Sequence, residues 1–213
     1  MKWSSAFCQT LEVCNLVRGQ AMTSIAAMER ATYSDVWELE PYKQAPSAGL
    51  RYSALFTEFA RPGETVLDAG CGDGRGAMAL AAHGLHVTTC DITSAGLPPV
   101  WPLEFEEAAL WHDLADVFGP HGFDWVYCCD VLQHVPVQFT MTSVAQLVRQ
   151  AHRGVFLSVS TQPDPYGIWI GKNLHQTVQG FTWWRDSLRE FGPLVEARDL
   201  VGSCVFVLNG GAA

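Results

Sequence analysis

The chain of 213 residues is long enough for one domain with a large core, since 48% of its residues are apolar and only 16% are charged. Its net charge of −9, with no block of Lys or Arg, excludes an unassisted surface for duplex nucleic acid, because neutralising phosphates needs clustered cations. No run of about 18 apolar residues is present, so we predict no membrane span.

The seven cysteines show neither a C-x-x-C pair nor metal-ligand spacing, and we predict no metal site. An odd number of cysteines without a disulfide framework indicates a reducing compartment. Polar residues interrupt the first 17 positions, so no signal peptide is expected. These features predict a cytoplasmic protein, and the sequence leaves its oligomeric state open.

The sequence predicts a single domain over residues 1–213, in which an N-terminal helical segment (1–61) precedes an α/β core (62–213). Residues 1–30 carry apolar side chains at helical spacing and predict one or two amphipathic helices that pack on the core. A further helix is predicted at Ala54–Ala60, just before the turn into the first strand.

Residues 33–52 are rich in aromatic side chains and turn formers. Such a segment could cover a binding site as a lid. Because aromatic faces attract cations, Tyr33, Trp37 or Tyr42 are candidates for contact with a cationic ligand. Simple packing in the core is the alternative interpretation.

The core opens with a short apolar run that enters a glycine-rich turn, Val66-Leu67-Asp68-Ala69-Gly70-Cys71-Gly72-Asp73-Gly74-Arg75-Gly76. Strong helix formers follow at Ala77–His83, and Gly84 stands where a helix would end. Strand, turn and helix together predict a nucleotide-binding unit, because glycine lets the backbone approach a ligand closely.

Two kinds of nucleotide fit this turn. Gly72-x-Gly74-x-x-Ala77 matches the dinucleotide fingerprint, with Asp91 about 20 residues on to hold a ribose. However, residues 62–148 contain eleven acidic residues and a single basic residue, Arg75. Such a field favours a ligand with cationic centres over a pyrophosphate, and Asp68 at the strand end offers such a ligand a carboxylate.

The rest of the core alternates strands and helices, which is typical of a sheet covered on both faces. Strands are predicted at His86–Ile92, Glu106–Trp111, Phe123–Asp130 and Gly154–Ser160, with a terminal hairpin at Leu194–Val201 and Ser203–Leu208. Helices are predicted at Asp113–Phe118, Val137–His152 and Phe181–Phe191. The stretches 92–102 and 161–180 hold several prolines and glycines and are predicted as loops.

Four segments resemble, in order and spacing, the motifs of class I S-adenosylmethionine (SAM)-dependent methyltransferases. Asp68-x-Gly70-x-Gly72-x-Gly74 resembles the first motif, and His86–Ile92 resembles the second strand, whose terminal acid binds ribose in that family. Trp111–Leu114 resembles the adenine loop, and Phe123–Pro136 is similar to the fourth strand and following turn of the small-molecule branch. The resemblance covers residues 62–160 well.

This resemblance implies a Rossmann-like α/β fold with a seven-stranded, mostly parallel sheet, a C-terminal antiparallel hairpin and helices on both faces. It also implies SAM as the cofactor and S-adenosylhomocysteine (SAH) as the product. The implied cofactor-binding residues are Asp68, Gly70, Cys71, Gly72 and Gly74 in the first motif, Asp91 and Ile92 in the second, Asp113 and Leu114 in the adenine loop, and Cys129 at the end of the fourth strand.

Two histidines are candidates for a catalytic base. His134 follows the fourth strand, and His175 lies in the predicted loop 161–180. A pKa near 6.5 suits proton removal from a hydroxyl or ammonium acceptor. A purely structural role for His134, as a cap of the turn before Pro136, is the alternative.

The implied reaction is methyl transfer to an oxygen or nitrogen atom of a small-molecule, nucleotide, sugar or lipid-linked acceptor. The Pro-Pro-Tyr-like turn of amino-methylating DNA enzymes is absent after the fourth strand, where the chain reads Cys129-Asp130-Val131-Leu132. The Pro-Cys dipeptide that a cytosine-C5 enzyme would need is absent from the sequence. A non-catalytic SAM-binding module and an NAD-dependent oxidoreductase remain the alternatives.

Overall fold

Seven strands form one mixed sheet in the computed structural model, which describes residues 5–120 and 122–210, with side chains from residue 19 onward. The strands are β1 (Thr65–Ala69), β2 (His86–Asp91), β3 (Glu104–Glu107), β4 (Phe123–Cys129), β5 (Ala151–Ser160), β6 (Leu194–Leu200) and β7 (Ser203–Asn209). Their order across the sheet is β3-β2-β1-β4-β5-β7-β6. Strands β1 to β5 are parallel, and β7 runs antiparallel to both β5 and β6. The predicted Rossmann-like sheet with a C-terminal hairpin is confirmed.

Helices cover both faces of this sheet. In the described part of the chain they are α1 (Ser5–Val36), α2 (Glu40–Lys43), α3 (Ala48–Phe56), α4 (Arg75–Ala82), α5 (Ala115–Phe118), α6 (Val137–Gln150) and α7 (Phe181–Leu188). Short 3-10 turns occupy Leu132–His134, Gly167–Ile170 and Arg189–Phe191. None of the helices in these described ranges is both long enough and apolar enough to cross a membrane.

The strands alternate their side chains between two apolar clusters, one on each face of the sheet. Val66 and Tyr127 pack with Phe56 of α3 and Leu80 of α4 on one face. On the other face, Leu67 and Val126 pack with side chains of α6 and α7, among them Leu147 and Trp184. Since β4 is buried almost throughout its length, it carries the near-continuous apolar run of a central parallel strand.

The N-terminal segment differs from its prediction in two places. One helix, α1, runs over Ser5–Val36, where the sequence predicts one or two helices within residues 1–30, and residues 1–4 of that prediction lie outside the described part. The helix predicted at Ala54–Ala60 is observed earlier, as α3. It begins earlier because the Ser47 side chain accepts a hydrogen bond from the Leu50 backbone N–H at 3.2 Å and caps the helix.

Among the predicted strands, the third differs most from the observed one. It is predicted at Glu106–Trp111, but β3 ends at Glu107, and the apolar residues Ala108–Trp111 form a buried loop instead. β3 is an edge strand whose residues are mostly exposed, so it carries no apolar signal of its own. The apolar signal that predicted a strand belongs to the loop that follows it.

The predicted loop between β2 and β3 is confirmed, because residues 92–103 form no helix or strand. The glycine turn after β1 also has the predicted character. Gly70 has φ +82°, and a side chain there would collide with Val131, so only glycine fits this close approach. Helix α4 then begins at Arg75.

Candidate active site

A cavity of about 380 Å³ opens at the carboxyl ends of β1, β2 and β4. The strand order reverses between β1 and β4, and open α/β sheets bind ligands at such a switch point. The volume lies within the usual range for small-molecule sites. The cavity therefore has the position and the size expected of a cofactor site.

Most of the residues singled out from the sequence meet at this cavity. They come from distant parts of the chain, and the fold brings them together because the carboxyl ends of parallel strands share one edge of the sheet. The predicted residues that line the cavity are Asp68, Gly70, Cys71, Gly72, Asp91, Ile92, Cys129, His134 and His175.

Three predicted cofactor residues lie outside the cavity lining: Gly74, Asp113 and Leu114. Gly74 faces the side chains of Trp101 and Leu97, and Leu114 is fully buried in the core. The Asp113 carboxylate accepts a hydrogen bond from the Ala115 N–H at 3.1 Å and is 3.6 Å from Arg149.

Of the predicted adenine loop, Trp111–Leu114, only Trp111 lines the cavity. Because β3 ends early, Leu110 and Trp111 line the cavity in place of Asp113 and Leu114. The ring of Phe139 in α6 stacks on Trp111, with ring centroids 5.3 Å apart.

The Asp68 carboxyl group is buried at the end of β1 and is 3% exposed. Burial, together with the nearby carboxylates of Asp91 and Asp73, raises the pKa of Asp68 to about 8. At neutral pH the group is therefore mostly protonated until a cation comes to lie beside it.

Asp91 ends β2 and turns toward the glycine turn. Its Oδ2 atom accepts a hydrogen bond from the Gly72 N–H at 2.9 Å, and its Oδ1 atom lies 3.4 Å from the Thr93 N–H. Burial raises the pKa of Asp91 to about 6, against these backbone hydrogen bonds, which lower it. A carboxylate offers about four acceptor positions, so Asp91 keeps capacity for two hydroxyl donors.

Four aromatic side chains close the top of the cavity: Tyr33, Trp37, Tyr42 and Tyr166. Trp37 and Tyr42 meet edge to face with centroids 4.8 Å apart, and Tyr42 meets Tyr166 in the same way at 5.5 Å. The first three belong to α1, α2 and the link between them, so the aromatic residues predicted as a lid do line the cavity.

Helix α1 is tied to both sides of the cavity. On one side, Arg30 donates to the Ile92 carbonyl at 3.1 Å and pairs with Glu107 at 2.7 Å. On the other, Lys172 donates to the Thr32 hydroxyl at 2.7 Å. The helix thus bridges the cofactor edge of the sheet and the loop that follows β5.

The two histidines lie against each other at one end of the cavity. Their ring centroids are 4.7 Å apart, and the rings are nearly perpendicular. Burial lowers the pKa of His134, and the neighbouring His175 lowers it further. His134 therefore carries no charge at pH 7, so its ring has a free lone pair that can accept a proton.

Backbone carbonyls and a tyrosine orient these rings. Nδ1 of His175 is 2.7 Å from the Gln162 carbonyl oxygen, which only accepts, so this nitrogen carries the proton. Nδ1 of His134 is 2.8 Å from the Tyr33 hydroxyl. Tyr33 of α1 is thus a site residue that sequence reasoning placed only among lid candidates.

The two cavity thiols are structural. Burial raises the pKa of the Cys71 thiol far above its ordinary value and that of Cys129 to about 12. Both stay protonated at physiological pH and have no nucleophilic thiolate. Among the described residues no group of three or more His, Cys, Asp or Glu side chains could hold a metal ion.

The doubly wound sheet, with a glycine-rich turn and the Asp91 carboxylate at its switch point, has the architecture of the Rossmann-like methyltransferase fold. Residues 43–202 match the family model described as a methyltransferase domain, and the chain belongs to this family. The membership confirms the predicted resemblance to methyltransferases.

Curated relatives are similar over part of their length. The ubiquinone biosynthesis O-methyltransferase of Aromatoleum aromaticum is 34% identical over 111 residues, which cover 49% of this chain and 47% of that protein. The chloroplastic magnesium protoporphyrin IX methyltransferase of Arabidopsis thaliana is 33% identical over 113 residues, or 50% of this chain and 36% of that protein. The chain spans about half the length, or less, of these curated relatives.

Solved structures share the fold at low sequence identity. Magnesium protoporphyrin IX methyltransferase from Synechocystis with bound SAH has a TM-score of 0.62 at 20% identity, covering 89% of this chain and 100% of that one. The PH0226 protein from Pyrococcus horikoshii has a TM-score of 0.63 at 14% identity, covering 75% of this chain and 88% of that one.

Proposed function

We propose that this chain transfers a methyl group from SAM to an oxygen or nitrogen atom of a small-molecule acceptor. The observation that carries the proposal is that one cavity is lined by the buried Asp68 carboxyl group, by Asp91, by the aromatic side chains of residues 33–42 and by His134 and His175. The relatives named above as methyltransferases support small molecules as the acceptor class.

The nucleoside end of the cofactor fits the β2 side of the cavity. Asp91 would accept hydrogen bonds from both ribose hydroxyls, since its backbone contacts leave acceptor positions free. Ile92, Leu110 and Trp111 offer apolar surfaces for an adenine ring. We therefore assign adenine recognition to Leu110 and Trp111 and withdraw it from Asp113 and Leu114.

The methionine end carries an ammonium and a carboxylate, and the cavity offers a partner for each. Asp68 would hold the ammonium group as a carboxylate. Arg51 of α3 also lines the cavity and forms no ion pair within the described ranges, so its guanidinium is available for the carboxylate. The opposite charges of Asp68 and Arg51 would fix the direction in which the cofactor lies.

SAM supplies an electrophilic methyl group on a sulfonium ion. The rings of Tyr33, Trp37 and Tyr42 would stabilise this positive charge through their faces and keep water out of the cavity. The protein itself has to align the acceptor with the methyl group and, where the acceptor loses a proton, to take up that proton.

His134 and His175 are the groups placed for that proton. Both line the cavity, and the Nδ1–H of His175 is engaged by a carbonyl, which leaves its Nε2 atom with a lone pair. A neutral imidazole in a water-poor site accepts a proton from a hydroxyl or ammonium group as the methyl–acceptor bond forms. We assign His134 the role of base, with His175 beside it.

Thermal unfolding with cofactors tests the binding half of the proposal. SAH at saturating concentration should raise Tm by several degrees, and NADH should leave it unchanged, because only ligands that bind the folded state stabilise it. A shift with NADH and none with SAH would overturn the proposal and restore the dinucleotide alternative.

Methyl transfer tests the catalytic half. The chain is incubated with SAM labelled in its methyl group, first with catechol and aniline as probes and then with cell extract. Label should enter an extracted small molecule, and His134→Gln should reduce incorporation by about 10²-fold or more while SAH still raises Tm. SAH binding with no label in any fraction would indicate a binding module without catalysis.

A further inference from the structure

The loop after β5 is organised around one carboxylate, that of Asp164. Its Oδ1 atom accepts a hydrogen bond from the Tyr166 N–H at 2.8 Å. Its Oδ2 atom accepts two more, from the N–H groups of Gly167 and Leu174, each at 2.8 Å. The carboxylate therefore joins the two ends of the segment 164–174, which we call the acceptor loop.

The far side of Leu174 reaches the candidate base. While its N–H is held by Asp164, its carbonyl oxygen lies 3.2 Å from Nδ1 of His134 and 3.4 Å from the Tyr33 hydroxyl. The two peptide groups that flank Leu174 thus connect the His134 ring to the Asp164 carboxylate.

The contact with the Leu174 carbonyl favours a proton on Nδ1 of His134. A carbonyl oxygen only accepts, so an unprotonated Nδ1 at 3.2 Å would place two acceptors against each other. With the proton on Nδ1, the ring donates toward Leu174 and Tyr33, and the Tyr33 hydroxyl can donate to the same carbonyl. Nε2 of His134 then keeps its lone pair and is the basic atom.

We propose that Asp164 is a positioning residue for methyl transfer, which fixes the Leu174 carbonyl and thereby holds His134 in the tautomer with a basic Nε2. The inference rests on the proposed function, in which His134 takes up the acceptor's proton. Asp164 does not line the cavity, so it acts through the loop and not on a ligand.

Two substitutions break the anchor in different ways. Asp164→Asn keeps the shape of the side chain but turns one of its two acceptors into a donor, so the N–H groups of Tyr166, Gly167 and Leu174 cannot all be satisfied and the loop has to shift. Gly167→Ala leaves the carboxylate intact, but the added methyl group would collide with the Lys172 carbonyl and with Asp164 itself. Asp199→Asn, an exposed carboxylate on β6, is the matched control.

The readout is the ¹⁵N chemical shift of the His134 ring at pH 7.5, which distinguishes protonated from unprotonated ring nitrogens without any acceptor. The signals are assigned with His134→Gln. In the wild type, Nδ1 should show the protonated shift and Nε2 the unprotonated one. In Asp164→Asn and Gly167→Ala the two shifts should move toward each other as tautomers mix, and the Leu174 amide should exchange at least about tenfold faster.

SAH-dependent stabilisation separates the possible failures. If SAH fails to raise Tm in the wild type, the proposed function is wrong, whatever the spectra show. If SAH raises Tm and the His134 shifts in Asp164→Asn coincide with those of the wild type and of Asp199→Asn, only the positioning role is overturned. Should Asp164→Asn fail to fold, Gly167→Ala decides by the same shifts.

Discussion

Asp91 and Asp113 show how much the surroundings of a carboxylate matter, although the sequence assigns both to the cofactor. Asp91 is half-buried at the cavity and accepts a hydrogen bond from the Gly72 N–H. Asp113 is 46% exposed, lies outside the cavity lining and pairs with Arg149. The two residues can therefore serve as test and control for cofactor binding.

Asp91→Ala is expected to weaken SAH binding by about 10²- to 10⁴-fold, because two hydrogen bonds to a charged acceptor are lost, each contributing about 1.5–3 kcal/mol. Asp113→Ala should leave the dissociation constant within about twofold of the wild type. Isothermal titration calorimetry measures both. Equal losses for the two variants would return Asp113 to the adenine site and contradict the position of the cavity.

Asp68 should couple cofactor binding to proton release. Its pKa of about 8 leaves it mostly protonated at pH 7, whereas an ammonium group beside it favours the carboxylate. Affinity for SAH should therefore rise with pH between 6.5 and 7.5, by up to about tenfold per pH unit. Calorimetry in buffers of different ionisation enthalpy should show release of a proton, and Asp68→Asn should show none.

At the scale of single elements, the sequence predicts best where the signal is local. The glycine turn after β1 is such a signal, since Gly70 must avoid Val131 and no other residue could replace it. The buried run of β4 is another. Both elements were predicted at nearly their observed positions, and together they locate the cavity.

The elements that were predicted poorly depend on contacts distant in sequence. The end of β3 is set by its pairing with β2, from Thr88↔Glu104 to Asp91↔Glu107, and nothing in Ala108–Trp111 itself shows that these apolar residues form a loop. The Asp164 anchor likewise joins residues up to ten positions apart in a segment without periodicity. Such contacts become visible only when the chain is folded.

Helix α1 provides a prediction at this scale. Arg30 ties it to Ile92 and Glu107 through exposed groups, and exposed ion pairs contribute only about 0–1 kcal/mol. Arg30→Ala should thus lower Tm by no more than about 4 °C, yet accelerate amide exchange in residues 28–36 and weaken SAH binding several-fold. Arg149→Ala removes a comparable exposed pair, with Asp113, and should change neither exchange in α1 nor SAH affinity.

That comparison distinguishes a lid from a packing element. If α1 only packs on the core, both arginine variants will bind SAH like the wild type and their exchange rates in α1 will agree. If α1 covers the cavity, added SAH should also slow exchange in residues 28–43 of the wild type, because Tyr33, Trp37 and Tyr42 line the cavity.

At the scale of the whole molecule, negative charge is concentrated where the cofactor is proposed to bind. The chain carries a net charge of −9, and Asp68, Asp73 and Asp91 all line one cavity. Arg75 pairs with Asp73, but Asp68 and Asp91 form no ion pair among the described residues, so their desolvation and mutual repulsion lower the stability of the ligand-free fold.

This lower stability of the ligand-free fold should appear in the pH dependence of unfolding. The pKa of Asp68 rises from an ordinary value of 3.8 to about 8 in the folded protein. A group with a raised pKa stabilises the fold fully below 3.8, and this contribution is lost as pH rises through about 8. Asp91 has a pKa of about 6, so it adds a smaller loss of stability, which is complete once the pH is above about 6.

Asp68→Asn removes the ionisation of Asp68, which causes the larger of the two losses of stability at high pH. The variant should unfold at the same temperature as the wild type near pH 4 but roughly 3–8 °C higher at pH 8, where the wild-type carboxyl group is half ionised and buried. The order should reverse when SAH is added at pH 8, because only the wild type has a carboxylate for the ammonium group. Calorimetric scans at both pH values, with and without SAH, measure all four differences. A variant less stable than the wild type at pH 8 without ligand would show that Asp68 is satisfied within the fold and is not held ready for a cation.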